Sequence, residues 1–272
     1  MKSIACIGGD YRNLFLSKMF KEQETILRFG LDNYDEWSLE ECKKCEYLIF
    51  PIPFSKDEKN IYTPLYDKQI SINECVKDVN NKVIFSGKID KNTKEILEKN
   101  NNTVIDITNE KDFLVNNSIP TAEGIIRCIV DKTDITIDKS NILIIGFGNV
   151  GKKTAELLSK LNANIYCLDI NKQEVANIKS RGYNVLNKLD NYIKKMDVII
   201  NTAPSLVIDK SKFIFINRES LIIDVASKPG GIDFVYAKEN NYKVIQYLGI
   251  PGKVAPKTSA KYMMDIIKKY IE

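Results

Sequence analysis

Asn141 to Gly151 reads NILIIGFGNVG, an apolar run passing directly into Gly146, Gly148 and Gly151 and then into the amphipathic pattern VGKKTAELLSKL. A buried strand, a glycine-rich turn and a helix in that order predict the first βαβ unit of a dinucleotide-binding fold. The first glycine permits the tight turn and the second lets backbone approach a pyrophosphate. The third lets helix and strand pack closely, and the helix N-terminus offers free N–H groups to phosphate. The next strand, NIYCLDI, ends in Asp169, 23 positions after Gly146, where a carboxylate can accept hydrogen bonds from ribose hydroxyls. The alternative is a glycine-rich βα turn with no ligand. A kinase glycine loop is excluded, since the Val-Ala-Ile-Lys, His-Arg-Asp and Asp-Phe-Gly elements are missing.

Outward from this unit, β-branched runs alternate with amphipathic stretches along all 272 residues, the pattern of parallel α/β architecture. Expected strands before residue 120 are 3–7, 25–29, 47–52, 82–85 and 103–107, with helices near 13–21, 39–45, 72–80 and 91–99. After it, strands are expected at 141–145, 164–168, 184–186, 197–201, 221–224 and 243–246. A helix over 121–132 and a final one over 257–270 complete the plan. The fold class is therefore α/β, with two doubly wound parallel-sheet domains, the C-terminal one a Rossmann fold. The expected division is 1–120, joined by the helix at 257–272, and 121–256. Between two such domains a cleft is the expected place for a small-molecule site.

Two later strand ends, NTAPS (Asn201 to Ser205) and DVASKPGG (Asp224 to Gly231), lie at carboxyl edges, where such sheets bind ligands. The cofactor set expected from these motifs is Gly146, Gly148, Asn149, Val150, Gly151, Asp169, Ile170, Thr202, Ala203, Pro204, Ala226 and Ser227. A 2′-phosphate beside Asp169 would bring like charges together, so NAD is preferred over NADP, with Lys172 the one nearby cation. The N-terminal IGGDYRN follows a strand but lacks the third glycine. Its Gly8, Gly9, Asp10 and Arg12 either shape the facing wall of the cleft or form a simple tight turn.

The chain has no histidine, which removes Ser-His-Asp and Cys-His triads, His-ligated zinc and a His general base. The 40 basic residues, 35 Lys and 5 Arg, exceed the 36 acidic ones by only four, and Arg clusters suited to phosphate or guanine are missing, so no nucleic-acid partner is expected. The six cysteines are too sparse for a disulfide framework, and the CKKC of Cys42 and Cys45 lacks the second half of a zinc site. No signal-peptide core and no membrane-length apolar run is seen, so a cytoplasmic protein with reduced thiols is expected.

NNSIPTAEG (Asn116 to Gly124) is expected to open a helix with Thr121 and Glu123 in its first turn. LGIPGKVAPKTSA (Leu248 to Ala260) sets Lys253 and Lys257 around two prolines. With Lys228 and Arg12 these lysines form a candidate anion-binding set, although lysines in a Lys-rich chain are usually solvated surface. In the last helix Tyr262, Ile266 and Tyr270 form a stripe expected to pack against the N-terminal domain or across the junction.

The set IGGDYRN, VIFSG (Val83 to Gly87), NSIPTAEG, GFGNVG, NTAPS, DVASKPGGIDF and GIPGKVAPKTSA, in this order, resembles the family of dipicolinate synthase A subunits from spore-forming bacteria. The resemblance covers essentially the whole chain. It implies oxidation of a dihydrodipicolinate-type intermediate, branching from lysine biosynthesis, to pyridine-2,6-dicarboxylate for spore formation. It also implies, as partner, the flavoprotein-like B subunit of dipicolinate synthase, with a homo-oligomer the further option. With no histidine available, Glu123 is the first candidate for acid/base chemistry and Lys257 the second, against a simple helix-capping role for Glu123. Arg12, Ser118, Thr121, Lys228, Lys253 and Thr258 are the candidates for holding the dicarboxylate, and no metal is called for. The rival readings are a non-catalytic sensor of NAD(H) and a different imino- or amino-acid dehydrogenase.

Overall fold

The structure is a computed structural model and describes residues 2–20, 25–33, 37–227 and 229–271. It divides into two compact units, Met1–Asn117 with Ala255–Glu272, and Ser118–Val254.

The first unit runs β1 (Ser3–Ile7), α1 (Tyr11–Ser17), β2 (Thr25–Phe29), α2 (Leu39–Lys43), β3 (Tyr47–Ile49), α3 (Ile72–Val76), β4 (Val83–Ser86), α4 (Lys91–Lys99) and β5 (Thr103–Asp106). Its five strands are parallel in the order β2-β1-β3-β4-β5. Successive residues of a strand face opposite sides. Thus Ile4 and Cys6 enter one core with Leu16, Ile49 and Phe85, while Ala5 and Ile7 enter another with Leu48, Phe50 and Ile84. Both faces being covered explains why the strands read as unbroken apolar runs.

Several boundaries differ from expectation, most by one or two residues, with α3 ending at Val76 rather than residue 80. Helix α1 starts at Tyr11, earlier than residue 13, because Asp10 caps it by accepting the Arg12 N–H at 3.0 Å. It ends at Ser17, and Lys21, the expected end, lies outside the described residues. Strand β3 stops at Ile49, before the prolines Pro51 and Pro53, which cannot donate to a ladder.

The largest difference is α5, a 22-residue helix over Lys111–Lys132 with Pro120 inside it. Thr121 and Glu123 therefore lie mid-helix and cannot cap it or occupy its first turn. Burial overrides the local breaker. Phe113 sits in the first unit's core, and Ile125, Cys128 and Ile129 sit in a core of the second.

The second unit then runs β6 (Asn141–Ile145), α6 (Asn149–Lys160), β7 (Asn164–Leu168), α7 (Lys172–Ser180), β8 (Asn184–Val185), β9 (Val198–Asn201), β10 (Leu221–Asp224), α8 (Phe234–Glu239), β11 (Val244–Gln246) and α9 (Ile250–Val254). Its six strands are parallel in the order β11-β10-β9-β6-β7-β8, the doubly wound order of a Rossmann fold with its reversal between β6 and β9. Ligands of such sheets bind at the carboxyl edge beside that reversal.

The last helix, α10 (Pro256–Ile271), belongs to the first unit and packs beside α1. Its buried face is Ala260, Met263, Met264, Ile266, Ile267 and Ile271, while Tyr262 sits at the edge of that face and Tyr270 is 42% exposed. The stripe expected from the tyrosines is thus rotated. Flexible methionines fill the core, and the Tyr270 hydroxyl donates outward to Glu110 at 2.9 Å. Among the described residues no helix is long and apolar enough to cross a membrane.

Candidate dinucleotide site

The site begins at the end of β6. Gly146 has φ +87°, and a Cβ there would lie 2.7 Å from Thr202 Oγ1, so this turn demands glycine on both counts. The Thr202 hydroxyl lies 3.1 and 3.0 Å from the carbonyl oxygens of Ile145 and Gly146, which ties the end of β9 to the turn. Phe147 is fully buried with its ring edge-on to Tyr183.

Gly148 caps α6 in extended conformation with no side chain bonding the helix N-terminus, and nothing lies within 4 Å of where its Cβ would be. Asn149 and Val150 form the first turn of α6. Gly151 is the opposite case, since its Cβ would fall 2.1 Å from the Gly146 carbonyl oxygen. The loop thus combines one tight turn, one helix–strand contact and one open face. Free N–H groups at the start of α6 meet that open face, so the residues present fit the pyrophosphate of a nicotinamide dinucleotide.

Asp169 stands half-buried just past β7. Its Oδ2 accepts the Phe147 N–H at 2.6 Å and its Oδ1 the Asn171 N–H at 2.8 Å, which fixes the carboxylate beside the glycine loop. Ile170 beside it is fully exposed. Lys172, the first residue of α7, is exposed. Below Asp169, burial and the neighbouring carboxylate push the Cys167 thiol up to about 12.

At the end of β9 and β10, Ala203 is half-buried, Pro204 and Ser227 are exposed and Ala226 is buried. The twelve expected cofactor residues therefore all lie along one edge of one sheet. Two residues beneath them were not singled out by the sequence. Asn201 and Asp224, the last residues of β9 and β10, are both fully buried, and Asn201 Nδ2 donates to Asp224 Oδ1 at 2.8 Å. A polar residue closing an otherwise apolar strand, VIIN and LIID, is the signal that marks them.

The candidates for the dicarboxylate fall in different units. In the first, Arg12 is 5% exposed. Its Nε and Nη2 donate to the Asp10 carboxylate at 2.9 Å each, and Nη2 also reaches the Ile52 carbonyl. Gly8 and Gly9 both have positive φ, and a Cβ on Gly9 would fall 2.2 Å from Asn13 Cγ, so IGGDYRN forms a tight turn closed over a buried asparagine. Lys257 and Thr258 are exposed in the first turn of α10. In the second unit, Ser118 and Thr121 are buried on α5, and Glu123 is exposed there. Lys253 is exposed, with its Nζ 5.3 Å from the Tyr247 ring centre. Lys228 lies outside the described residues. Cys42 and Cys45 are buried with free thiols, Cys42 on α2 and Cys45 just beyond it.

Comparison with known proteins agrees with this geometry. Residues 130–226 match the NAD binding domain of D-isomer specific 2-hydroxyacid dehydrogenases, and residues 3–108 match the N-terminal domain of dipicolinate synthase A subunits. The dipicolinate synthase A subunit of Bacillus subtilis (strain 168) is 28% identical, the alignment covering 98% of this chain and 95% of the relative. The crystal structure of the dipicolinate synthase A subunit from Bacillus halodurans superposes with a TM-score of 0.89 at 28% identity, covering 99% of this chain and 97% of that one. A transhydrogenase from Sinorhizobium meliloti shares the fold alone, with a TM-score of 0.70 at 12% identity, covering 99% of this chain and 94% of that one.

The fold and the loop define the class: an oxidoreductase whose second unit is a nicotinamide-dinucleotide-binding domain of dehydrogenase type. Within that class, the chain is similar over nearly its whole length to dipicolinate synthase A subunits, and its residues 3–108 match that family's N-terminal domain.

Proposed function

We propose that this chain oxidises a dihydrodipicolinate-type ring to pyridine-2,6-dicarboxylate, with NAD preferred over NADP, and that it works with the B subunit of dipicolinate synthase. The observation carrying this reading is the open glycine loop at the uncapped start of α6, in a chain aligned nearly end to end with a dipicolinate synthase A subunit. The bound nicotinamide supplies the hydride acceptor. The substrate ring loses a hydride and a proton, and the gain of aromaticity drives the step. The protein's work is therefore to position the reactants and exclude water.

Glu123, exposed and mid-helix rather than engaged in capping, is the proposed acid/base, with Lys257 as second choice. It takes the ring proton or, if the substrate arrives as the hydroxylated tetrahydro form, protonates the departing hydroxyl. Lys253, Lys257 and Thr258 are the proposed partners of the two carboxylates. Arg12 is already held by Asp10 and is assigned to shaping its own loop. For the cofactor preference, Asp169 offers a fixed carboxylate to ribose hydroxyls and repels a 2′-phosphate.

The test is to follow the ultraviolet absorbance of the pyridine dicarboxylate together with NADH, using the purified chain with and without the B subunit. Equimolar growth of both, lost in Glu123→Gln at unchanged thermal stability, is the expected result. Binding of NADH with no product under any combination would leave a sensor and overturn the reading. Equal use of NADP by the wild type, or a preference unmoved by Asp169→Ala, would remove the role given to Asp169.

A further inference from the structure

Asn201 and Asp224 sit on adjacent parallel strands, directly across from each other. Both amide protons and the amide oxygen of Asn201 are engaged. Its Nδ2 donates to Asp224 Oδ1 at 2.8 Å and to the Ala203 carbonyl at 3.0 Å, while its Oδ1 accepts the Ala203 N–H at 3.3 Å. Asp224 accepts in addition the Ala226 N–H on Oδ1 at 3.2 Å and the Gly231 N–H on Oδ2 at 3.1 Å. Two glycines follow from this packing. A Cβ on Gly230 would lie 2.8 Å from Asp224 Oδ2, and one on Gly231 would lie 2.1 Å from Asn201 Nδ2. The Gly231 carbonyl in turn accepts the N–H groups of Val207 and Ile208, both at 2.9 Å.

The pair therefore fixes two segments at once, 203–208 after β9 and, after β10, the described residues 225–227 and 229–231. Desolvating a carboxylate is costly unless donors surround it, and here three N–H donors do. A simple core position would be filled more cheaply by an apolar side chain. Sheet order says what the loops serve. Asp169 follows β7 and the glycine loop follows β6, with β9 and β10 next in line. From β7 to β10 is three strand spacings, about 14 Å at ~4.8 Å each, the scale of an extended dinucleotide. A cofactor whose adenosine lies at Asp169 carries its nicotinamide half to the loops after β9 and β10.

We infer that Asn201 and Asp224 are positioning residues for the nicotinamide half of the cofactor, acting through the 203–208 segment and through Ala226 and Gly231 after β10. This rests on the dinucleotide reading of the site. In Asp224→Asn one acceptor becomes a donor facing another N–H. In Asn201→Ser the cross-strand bond is lost without adding charge.

The experiment titrates the full-length chain with NADH, by nicotinamide fluorescence, and with ADP-ribose, which lacks the nicotinamide, by calorimetry. Both variants should lose tenfold or more in NADH affinity while ADP-ribose binding stays within twofold. Gly231→Ala, which disturbs the pair from the loop side, should do the same and decides the matter if Asp224→Asn does not fold. Parallel loss of both ligands would mark the pair as structural only and overturn the inference, as would unchanged NADH binding. A wild type that binds ADP-ribose but gains nothing from the nicotinamide, or binds neither, would instead overturn the underlying cofactor reading.

Discussion

Gly148 and Gly151 carry the same side chain, three residues apart, for opposite physical reasons, and one pair of substitutions separates them. In Gly151→Ala the new Cβ meets the Gly146 carbonyl oxygen at 2.1 Å, roughly 1 Å inside the closest approach real Cβ atoms show. The obstacle is backbone and cannot rotate aside, so α6 must move off the end of β6. Overpacking of this kind costs about 1–3 kcal/mol. At roughly 2–4 °C per kcal/mol for a chain of this size, Tm should fall by several degrees. In Gly148→Ala the Cβ meets nothing within 4 Å, and the extended backbone, φ −73° and ψ −164°, suits alanine. Alanine is a poorer helix cap than glycine, but it lowers the entropy of the unfolded chain by a similar amount, about 0.4–1 kcal/mol. Tm should therefore stay within a few degrees of wild type. The methyl nonetheless occupies the face that a pyrophosphate must approach. Thermal unfolding combined with NADH titration should show Gly148→Ala stable but at least tenfold weaker in binding, and Gly151→Ala impaired in both. A Gly148→Ala protein that binds NADH like wild type would refute the assignment of the open face. A Gly151→Ala protein as stable as wild type would refute the tight contact.

Ile267→Ala on α10, fully buried against the first sheet, should cost about 2–5 kcal/mol in urea denaturation; a loss below about 1 kcal/mol would mean this face is not core. Hydrogen bonds from Lys153 and Lys160 lower the Glu156 carboxyl to about 2, below its unfolded value, so its stabilisation is complete above the unfolded pKa and disappears as pH falls through about 2. Glu156→Gln should therefore be less stable by about 0.5 kcal/mol at neutral pH, with the gap narrowing between about pH 5 and 3; a pH-independent gap would contradict this. Burial pushes the thiols of Cys6, Cys75 and Cys167 up, the last two to about 12, so the six cysteines should react slowly with a thiol reagent at about pH 8 and quickly once denatured. Fast labelling of the native chain would show that the thiols are not enclosed.

What the sequence determined is what depends on neighbours along the chain. The glycine spacing of GFGNVG, the strand before it, the helix after it and an aspartate ending the next strand define a dinucleotide loop because each glycine answers a constraint set within a few residues. Unbroken apolar strands likewise required sheets covered on both faces, and both sheets are so covered. Tertiary structure decided the features whose partners are distant in sequence. Helix α5 runs through Pro120 because Phe113 and Ile125 are buried on either side of it, which outweighs the local cost of the proline. The buried face of α10 follows Met263 and Ile267 rather than its tyrosines because the first unit's core, not helical periodicity, selects which residues fit. Arg12, one cation among forty in the sequence, pairs with Asp10 two residues away but reaches the Ile52 carbonyl only once β1 and β3 lie side by side. Asn201 and Asp224 lie 23 residues apart and become one hydrogen-bonded pair only when β9 and β10 align, since a buried carboxylate needs donors that the chain cannot supply locally.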